Sequence, residues 1–392
     1  IDESTNNAPE LDEPYKVSAE SDSGLPVTVR LKSGPAIFDG ANVVITNLGA
    51  VVLTASQTGN TDYAPAEEDF AVNTPLISVS EAGSWPGYAR GQAYAVRVSG
   101  QRAYVAASVG GVMIFDVSDP AMPRRIGSIN LKAPVEDVRD LRVVGNLAYV
   151  ANWTAGLFIV DVTDPSSPVE LGHIGIDGII WGLDVSDGFA YLVANTSWLY
   201  VVDVHDPARP ELVSRSEVGK NVNAIAVRDG IAFVADGANG LVIVDVQDAR
   251  HPFPINTFNT GGYADRIYLQ GLVAYIAQGT EGFAVIDISD PGAPRKIGNY
   301  SQGQVDDLAV VGSLVLATGY EDVLQIVDVS DPPHPVRMGN VHVPGANTAG
   351  VAAAGNRAFV GARWLGLLTA DISNPAKPAH IEWTVPPQIS TS

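Results

Sequence analysis

Seven aspartates recur at nearly equal intervals along most of the chain. Each closes an apolar run such as LVIVD or FAVID, and neighbouring copies lie 41 to 45 residues apart. The seven are Asp116, Asp161, Asp203, Asp245, Asp287, Asp328 and Asp371. Spaced carboxylates could hold metal ions, but a hard cation needs several oxygen ligands around it. Because no copy carries a second and third carboxylate at ligand spacing, we assign these aspartates to turns.

Other residue types that carry chemistry are scarce. The chain has no cysteine, which excludes thiolate metal ligands and cysteine nucleophiles. Its histidines lie in or beside Pro-rich turns and outer strands: His173, His205, His251, His334, His342 and His380. This placement disfavours a histidine-dependent metal lyase and a Ser/His/Asp hydrolase. The sequence also contains no P-loop and no G-x-S-x-G elbow. We therefore expect no catalytic residues, no metal and no cofactor.

The segments around each aspartate repeat a pattern of four strands. In residues 137–175 these are DVRDLRVVG, NLAYVAN, GLFIVDVTD and PSSPVELGHIGI, separated by turn residues. Four short strands of this kind form one antiparallel sheet. Seven such sheets of about 40 residues each, arranged in a ring, make a seven-bladed β-propeller. The third strand is apolar at nearly every position, which fits a strand covered on both faces by neighbouring blades.

The repeated motif resembles the LVIVD-repeat family. Copies such as VMIFDVSDP at 112–120 and LFIVDVTDP at 157–165 carry the resemblance, which covers roughly Trp85 to Val385. It implies a propeller in an exported prokaryotic protein and no particular activity. The fourth copy ends in Asp248-Ala249 and the seventh in Asn374-Pro375, so we expect those two blades to turn differently.

The first 75 residues contain 12 acidic and 3 basic residues and no copy of the repeat. Their period-two alternation, broken by Gly, Asn, Asp and Pro, predicts a small antiparallel β-sandwich. Ser23–Asn73 is similar to a bacterial immunoglobulin-like (Big/MBG-type) module, on the elements GLPV, SGPA and TASQTGNTDYAPA. Such modules begin with a further strand, where this chain has the polar segment Ile1–Glu13. Either these residues supply that strand irregularly, or an open edge is left that a neighbouring domain or subunit could fill.

We therefore predict an all-β chain in three parts. Residues 1–75 form the immunoglobulin-like β-sandwich, residues 76–386 the propeller, and residues 387–392 a linker to a region beyond the sequence. Two segments could close the ring, Leu76–Gly83 and Ala379–Pro386. We favour the second as the fourth strand of the last blade.

Large aromatic residues concentrate on one rim of the predicted ring. The connections between blades share this rim with the loops between second and third strands, and variable loops usually carry function. We place Trp85, Tyr88, Trp181 and Tyr263 in the connections, and Trp153, Trp198, Tyr320 and Trp364 in the loops. Exposed Trp and Tyr on one face mark a surface that binds protein or sugar. The open alternative is that these side chains wedge between blades as part of the core.

Charged residues share the rim with the aromatics. They are Glu136, Asp137, Asp236, Asp265, Glu281, Asp306, Asp307, Glu321, Asp322, Arg90, Arg266 and Arg363. Two carboxylates at suitable spacing could act as acid and base on a glycosidic bond. We favour the other interpretation, in which they form ion pairs between blades or stay solvated. Arg97, Arg142 and Asp184 fall inside first strands, so we expect them to pair and to line the central channel.

Composition narrows the choice of function. A net charge of −21 argues against nucleic acid and anionic membranes as partners. No apolar run reaches the roughly 20 residues of a membrane span, so we expect no membrane insertion. We predict a non-enzymatic, extracellular or cell-surface recognition or scaffold module that binds protein or polysaccharide through the aromatic rim. Self-association through the sandwich edge is a further expectation. The alternatives are a structural subunit of a surface filament or sheath, and a glycan-active hydrolase or lyase.

Overall fold

The computed structural model describes most of the chain. The residues described are 14–17, 19–21, 24–33, 36–40, 42–45, 51–60, 64–72, 92–119, 123–132, 137–194, 197–319, 324–342, 348–363, 366–376 and 378–383. They fall into two compact units, within Ile1–Pro86 and Gly87–Ser392. Among these residues, no helix has the length and apolar character needed to span a bilayer.

The first unit contains two small antiparallel sheets. One is formed by β1 (Pro14–Lys16), β3 (Ala36–Phe38) and β4 (Asn42–Ile45), in the order β1–β4–β3. The other is formed by β2 (Thr28–Ser33), β5 (Val51–Gln57) and β6 (Ala66–Val72), in the order β2–β5–β6. Val43 and Leu53 are fully buried and belong to the same apolar cluster. The immunoglobulin-like relationship stays a prediction, and Ile1–Glu13 lies outside the described residues.

The second unit consists of four-stranded antiparallel sheets, one for each copy of the repeat. Blade 1 comprises β7 (Ala95–Ser99), β8 (Arg102–Ala106), β9 (Val112–Asp116) and β10 (Arg124–Ile129). Blade 2 comprises β11 (Val138–Val144), β12 (Leu147–Asn152), β13 (Gly156–Asp161) and β14 (Val169–Ile174). Blade 3 comprises β15 (Ile180–Ser186), β16 (Phe189–Ala194), β17 (Trp198–Asp203) and β18 (Glu211–Glu217).

The remaining four blades follow the same order along the chain. Blade 4 comprises β19 (Ala224–Arg228), β20 (Ile231–Ala235), β21 (Leu241–Asp245) and β22 (Phe253–Phe258). Blade 5 comprises β23 (Arg266–Gln270), β24 (Val273–Ala277), β25 (Phe283–Asp287) and β26 (Arg295–Tyr300). Blade 6 comprises β27 (Asp307–Val311), β28 (Leu314–Thr318), β29 (Leu324–Asp328) and β30 (Val336–Val341). Blade 7 comprises β31 (Gly350–Ala354), β32 (Arg357–Ala362), β33 (Gly366–Asp371) and β34 (Ala379–Trp383).

The apolar core of this unit lies between neighbouring blades. Phe158 in the third strand of blade 2, for example, shares a cluster with Tyr104 and Ile114 of blade 1. Third strands are buried almost throughout, whereas the fourth strands of blades 1 to 6 consist mostly of exposed and half-buried residues. Burial on both faces explains why the repeated run is apolar without alternation. The predicted all-β, seven-bladed architecture is therefore confirmed.

The ring closes between blades 7 and 1. Val96 and Phe115 of blade 1 share an apolar cluster with Phe359 of blade 7. The N–H of Ala93 also donates a hydrogen bond of 3.1 Å to the carbonyl of Arg363. The predicted closing segment is confirmed, because β34 pairs with β33 as the fourth strand of blade 7. The other candidate, Leu76–Gly83, lies outside the described residues.

The recurring aspartates shape the turns that follow the third strands. In every blade Oδ1 of the aspartate accepts the backbone N–H two residues later, at 2.8–3.0 Å. At Asp287 the N–H of Ser289, its hydroxyl and then Arg295 lower the pKa to about 2. Blade 4 keeps the next hydrogen bond of this turn, from Arg250 N–H to Asp248 at 3.0 Å, as blade 3 does at Asp206. Blade 4 was expected to turn differently because alanine, not proline, follows Asp248. It forms the same hydrogen bond all the same, because the side-chain acceptor is sufficient without proline. The expectation is wrong in this respect.

The fourth strand of each blade carries a bulge that faces the next blade. The register shifts between third and fourth strands in all seven blades. The residue after the extra one is glycine in four blades: Gly127, Gly172, Gly298 and Gly339. A Cβ added at Gly298 would lie 1.9 Å from the carbonyl oxygen of Pro332 in the next blade. Such contact is possible only without a side chain, so glycine here permits the close approach of two blades.

In blades 3 and 4 the equivalent contact is a hydrogen bond. Ser214 donates from Oγ to the carbonyl of Ala249, at 2.6 Å. Asn256 donates from Nδ2 to the carbonyl of Gly292, at 2.8 Å. Each acceptor belongs to the Pro-rich turn of the following blade. The outer contact between blades is therefore either a close backbone approach or a hydrogen bond from a small polar side chain.

Replacing Gly298 with alanine should destabilise the propeller. The new methyl group collides with Pro332, and overpacking of this kind costs about 1–3 kcal/mol. Gly175→Ala is the matched control, because nothing lies within 4 Å of an added Cβ there. Urea denaturation of the two variants measures the difference. Equal free energies of unfolding for Gly298→Ala and Gly175→Ala would refute the proposed close contact.

Candidate functional site

The loop-bearing rim brings together an aromatic and arginine cluster, which we define as Tyr94, Arg139, Trp153, Trp181 and Arg363. These residues lie at the starts of first strands or at the ends of second strands. In an antiparallel blade those ends share one rim. Trp153 joins blades 2 and 3, because its N–H donates to Asp137 O and its carbonyl accepts from Ile180 N–H, both at 2.9 Å.

Within this cluster, guanidinium groups lie over aromatic faces. Arg139 Cζ lies 4.0 Å from the ring centroid of Tyr94 and 4.3 Å from that of Trp153. Arg363 Cζ lies 5.6 Å from the Tyr94 centroid. Trp153 meets Trp181 edge to face, with centroids 6.1 Å apart. Cation–π contacts of this kind stabilise by roughly 0.5–2 kcal/mol, depending on exposure.

Three N–H donors in the cluster have no acceptor within the described part of the chain. They are Arg139 Nε, Trp153 Nε1 and Arg363 Nε, each buried and without a hydrogen-bond partner among the described residues. A buried unpaired donor costs about 1–3 kcal/mol, so acceptors supplied from outside would be favourable. Arg139 does donate from Nη2 to Asp137, at 2.8 Å. The cluster therefore combines several N–H hydrogen-bond donors with aromatic rings.

Two further rim aromatics that the structure describes make other contacts. Trp198 stacks under Arg215, whose Cζ is 3.8 Å from its ring centroid. Tyr263 is 44% exposed, and its hydroxyl accepts a hydrogen bond from Asn221. Trp85, Tyr88, Tyr320 and Trp364 fall outside the described residues. The binding role assigned to the eight aromatics stays a prediction.

Two positions differ from those expected from the sequence. Trp181 lies within β15 and not in the connection between blades, and Trp198 is the first residue of β17 and not part of the preceding loop. Both are half-buried because these strand ends pack against neighbouring strands. Tyr94 and Arg139 were missed. Tyr94 sits in a blade connection, like the residues that were chosen, so the same reasoning could have found it.

Three of the described rim carboxylates, Asp137, Asp236 and Asp306, are held by hydrogen bonds within the chain. Asp137 accepts from Ser108 Oγ at 2.9 Å as well as from Arg139. Asp236 is buried and accepts from Lys220 N–H at 2.8 Å, and also from Asn221 N–H and Asn239 Nδ2. Asp306 accepts from Gln304 at 2.8 Å, and burial raises its pKa. Within the described part of the chain, no group of three or more His, Cys, Asp or Glu side chains could hold a metal ion.

The first strands surround a central channel of about 400 Å³. Its charged lining residues are Arg97, Asp140, Arg142, Asp184, Arg228, Arg266 and Asp307. Arg97 pairs with Asp140 at 2.7 Å, and Arg142 pairs with Asp140 at 3.2 Å and with Asp184 at 3.1 Å. The predicted pairing of Arg97, Arg142 and Asp184 in the channel is therefore confirmed. Asp140, which joins the two arginines, was missed by sequence reasoning.

Carboxylates in the channel also tie successive blades together through the backbone. Asp140 accepts the N–H of Leu183, Asp184 that of Val227, and Asp307 that of Val351, at 3.3, 2.7 and 3.1 Å. Each donor belongs to the first strand of the next blade. The three bonds therefore connect blades 2 to 3, 3 to 4 and 6 to 7.

Two of these carboxyl groups have opposite pKa shifts. Burial opposes the ionised form of Asp140, but Arg142 and Arg97 outweigh it and lower the pKa. Burial dominates at Asp307 and raises the pKa, although Arg97 and Arg266 partly offset it. The difference follows from contact, because Asp140 has direct ion pairs, whereas no ion pair within 4.0 Å is found for Asp307 among the described residues.

The two shifts predict opposite pH dependence of stability. The lowered pKa of Asp140 contributes stability above the pKa of the unfolded chain, and this is lost as pH falls through the folded value. The raised pKa of Asp307 makes its ionisation a cost to the folded state. That cost is complete above the folded pKa and disappears as pH falls below the unfolded value.

Asp140→Asn and Asp307→Asn should therefore change the free energy of unfolding by different amounts or in opposite directions. At about pH 7 we expect Asp140→Asn to lose about 3–5 kcal/mol, because two buried guanidinium groups lose their counterion. Asp307→Asn should be neutral or stabilising at that pH, with any gain vanishing in acid. Urea unfolding across a pH series measures both. Equal losses in the two variants at neutral pH would contradict the assignment.

One known protein family matches each of the seven repeats. The LVIVD repeat family matches residues 90–130, 136–174, 177–217, 219–260, 261–302, 302–343 and 345–382. No curated protein matches the chain.

Solved structures, one of them described as a β-propeller domain, are similar to this chain at low identity. The Cps50 (Swd1) β-propeller domain of Myceliophteria thermophila has a TM-score of 0.57 and 13% identity, over 76% of this chain and 99% of that one. A functionally unknown protein from Desulfotomaculum acetoxidans has a TM-score of 0.58 and 14% identity, over 74% and 95%. The computationally designed Ika8 protein has a TM-score of 0.56 and 12% identity, over 75% and 88%. The seven matched repeats, one for each blade, show that this chain belongs to the LVIVD repeat family.

Proposed function

We propose that this chain is a non-enzymatic binding module that contacts a partner protein through the loop-bearing rim of its propeller. The aromatic and arginine cluster is the observation that carries the proposal. Trp, Tyr and Arg are the residue types that dominate binding energy at protein interfaces. They meet here at one point, with three buried N–H donors that lack acceptors among the described residues.

A protein partner suits this cluster better than a sugar. Sugar rings stack on open aromatic faces, whereas Tyr94 and Trp153 each have a guanidinium over the ring. Carbonyl and carboxylate oxygens of a peptide could accept the unpaired N–H groups. The polysaccharide alternative keeps support from the exposed ring of Tyr263.

The state of the rim carboxylates supports binding over hydrolysis. A glycosidase needs one carboxyl group as acid and a second as base or nucleophile, both able to reach the substrate. Asp137 and Asp236 instead hold loops and side chains in place. Asp306 is the residue that best fits a general acid, because burial raises its pKa.

An extracellular or cell-surface location is part of the proposal. Its support is the resemblance of the repeats and of residues 23–73 to exported proteins, together with a net charge of −21. A scaffold subunit that assembles through the first unit is the remaining alternative, and the mass of the protein in solution separates it from a monomeric binding module.

Rim substitutions should weaken partner binding while a substitution on the other rim does not. The full chain is used to select peptides from a displayed library and is screened on a glycan array in parallel. Trp181→Ala and Arg363→Gln, both within the cluster, should each weaken selected peptides by about tenfold or more. Phe253→Ala is the control, because Phe253 is a 56% exposed aromatic at the start of a fourth strand, on the opposite rim.

The outcomes separate the alternatives. Peptide binding that is lost in the rim variants and kept in Phe253→Ala supports the proposal. Glycan binding with the same dependence would assign the rim to sugars. If neither screen yields a ligand, or if only Phe253→Ala loses binding, the rim is not the binding surface.

A further inference from the structure

We propose that the central channel of the propeller binds a small oxyanion, a carboxylate or a phosphate, with Arg266 as its main ligand. This site is separate from the aromatic rim and does not depend on the proposed function.

The channel carries more cationic than anionic groups. Arg97, Arg142, Arg228 and Arg266 line it, against Asp140, Asp184 and Asp307. This local excess contrasts with the net charge of −21 of the whole chain. Burial and then the like charge of Arg142 lower the pKa of Arg97, so these two guanidinium groups repel each other, whereas nearby carboxylates raise the pKa of Arg142 and of Arg266. A negatively charged ligand would relieve this repulsion.

The carboxylates of the channel are already occupied by backbone donors. Asp140 accepts from the N–H groups of Leu141 and Leu183 in addition to its two arginines. Asp184 accepts from the N–H groups of Val185 and Val227 in addition to Arg142. These bonds leave few lone pairs for the other guanidinium groups.

Arg266 has few and weak hydrogen-bond partners among the residues that the structure describes. Its Nη1 donates to the carbonyl of Asp265 at 3.2 Å and reaches the carboxylate of the same residue at 3.5 Å. Nε and Nη2 make no hydrogen bond to any residue that the structure describes. Those two groups form the edge of a guanidinium that binds carboxylate or phosphate through paired hydrogen bonds.

Small side chains leave space for the ligand beside Arg266. One position on the first strands carries Arg97, Arg142, Asp184 and Tyr268 in blades 1, 2, 3 and 5, and alanine in the other three. The alanines are Ala226, Ala309 and Ala352. All three line the cavity of about 400 Å³ together with Tyr268. A volume of this size holds a phosphate ion or a short organic acid.

Calorimetric titration of the full chain tests the site. Inorganic phosphate and succinate are the two probes, at constant ionic strength in a buffer free of other oxyanions. We expect the unmodified protein to bind one of them at one site per chain, with a dissociation constant of about 1 mM or tighter. The stronger probe indicates whether a phosphate or an organic acid is the preferred class.

Three variants locate the binding. Arg266→Gln should weaken it by about tenfold or more, because the paired hydrogen bonds and the charge are lost. Arg124→Gln, at a 74% exposed arginine on the outer strand β10, should have no effect. Ala226→Leu should also weaken binding by filling the channel without changing a charge, and longer side chains occupy this strand position in other blades. Circular dichroism and thermal melting confirm that each variant is folded.

The proposal is overturned if neither probe binds the unmodified protein, or if folded Arg266→Gln and Ala226→Leu bind as the unmodified protein does. Equal weakening by Arg124→Gln would show non-specific charge attraction and would also overturn it. Should Arg266→Gln fail to fold, Ala226→Leu decides the result alone. Rim variants such as Trp181→Ala should leave this binding unchanged, which keeps the outcome separate from that of the peptide screen.

Discussion

Neighbouring blades meet at their outer strands. The turn that follows the third strand of one blade contacts the bulged fourth strand of the preceding blade. At Gly127 and Gly298 the carbonyl oxygen of a proline in the next blade, Pro165 and Pro332 respectively, lies so close that no Cβ can be accommodated. This outer contact links each of blades 1 to 6 to the next blade, and apolar clusters lie between all neighbouring blades. A ring depends on such contacts, because each blade covers the next one and a blade alone would expose both apolar faces.

The turn aspartates and the channel aspartates perform the same task at opposite ends of the blade. A turn aspartate such as Asp287 holds its own backbone, so that the Pro-rich turn has the shape the next blade needs. A channel aspartate such as Asp184 accepts an N–H directly from the next first strand. Both use a carboxylate as a hydrogen-bond acceptor for backbone, which is why so many acidic residues occur without a metal site among the described residues.

The two candidate sites arise where the repeats differ from one another. The channel is asymmetric, since blades 1 to 3 supply the ion pairs and blades 4, 6 and 7 supply alanine at the same strand position. The rim is asymmetric as well, with aromatic rings and arginines gathered where blades 7, 1, 2 and 3 meet. A repeated framework thus holds side chains that are not repeated, and binding specificity can change without loss of the fold.

The sequence by itself determined the blade number and the strand order, and it favoured one of two segments as the closing strand. It could do so because each depends on patterns within about 40 residues, namely an apolar run, a closing aspartate and turn residues. It also placed Arg97, Arg142 and Asp184 in the channel, since first strands of a propeller must face its axis. Asp140 was not identified because two of its partners, Arg97 and Leu183, are 43 residues away on either side, in other repeats.

Only the tertiary structure decided how the rim is arranged. Position in a loop indicated that Trp153 lies on this rim, but not that Arg139 covers its ring or that Trp181 packs against its edge. Those contacts join blades whose loops differ in sequence, so no repeated pattern predicts them. The same holds for Gly298, whose role follows from a carbonyl in the next blade and not from its own backbone conformation. Periodic sequence fixes what every blade shares, and contacts between unlike blades fix what the protein can bind.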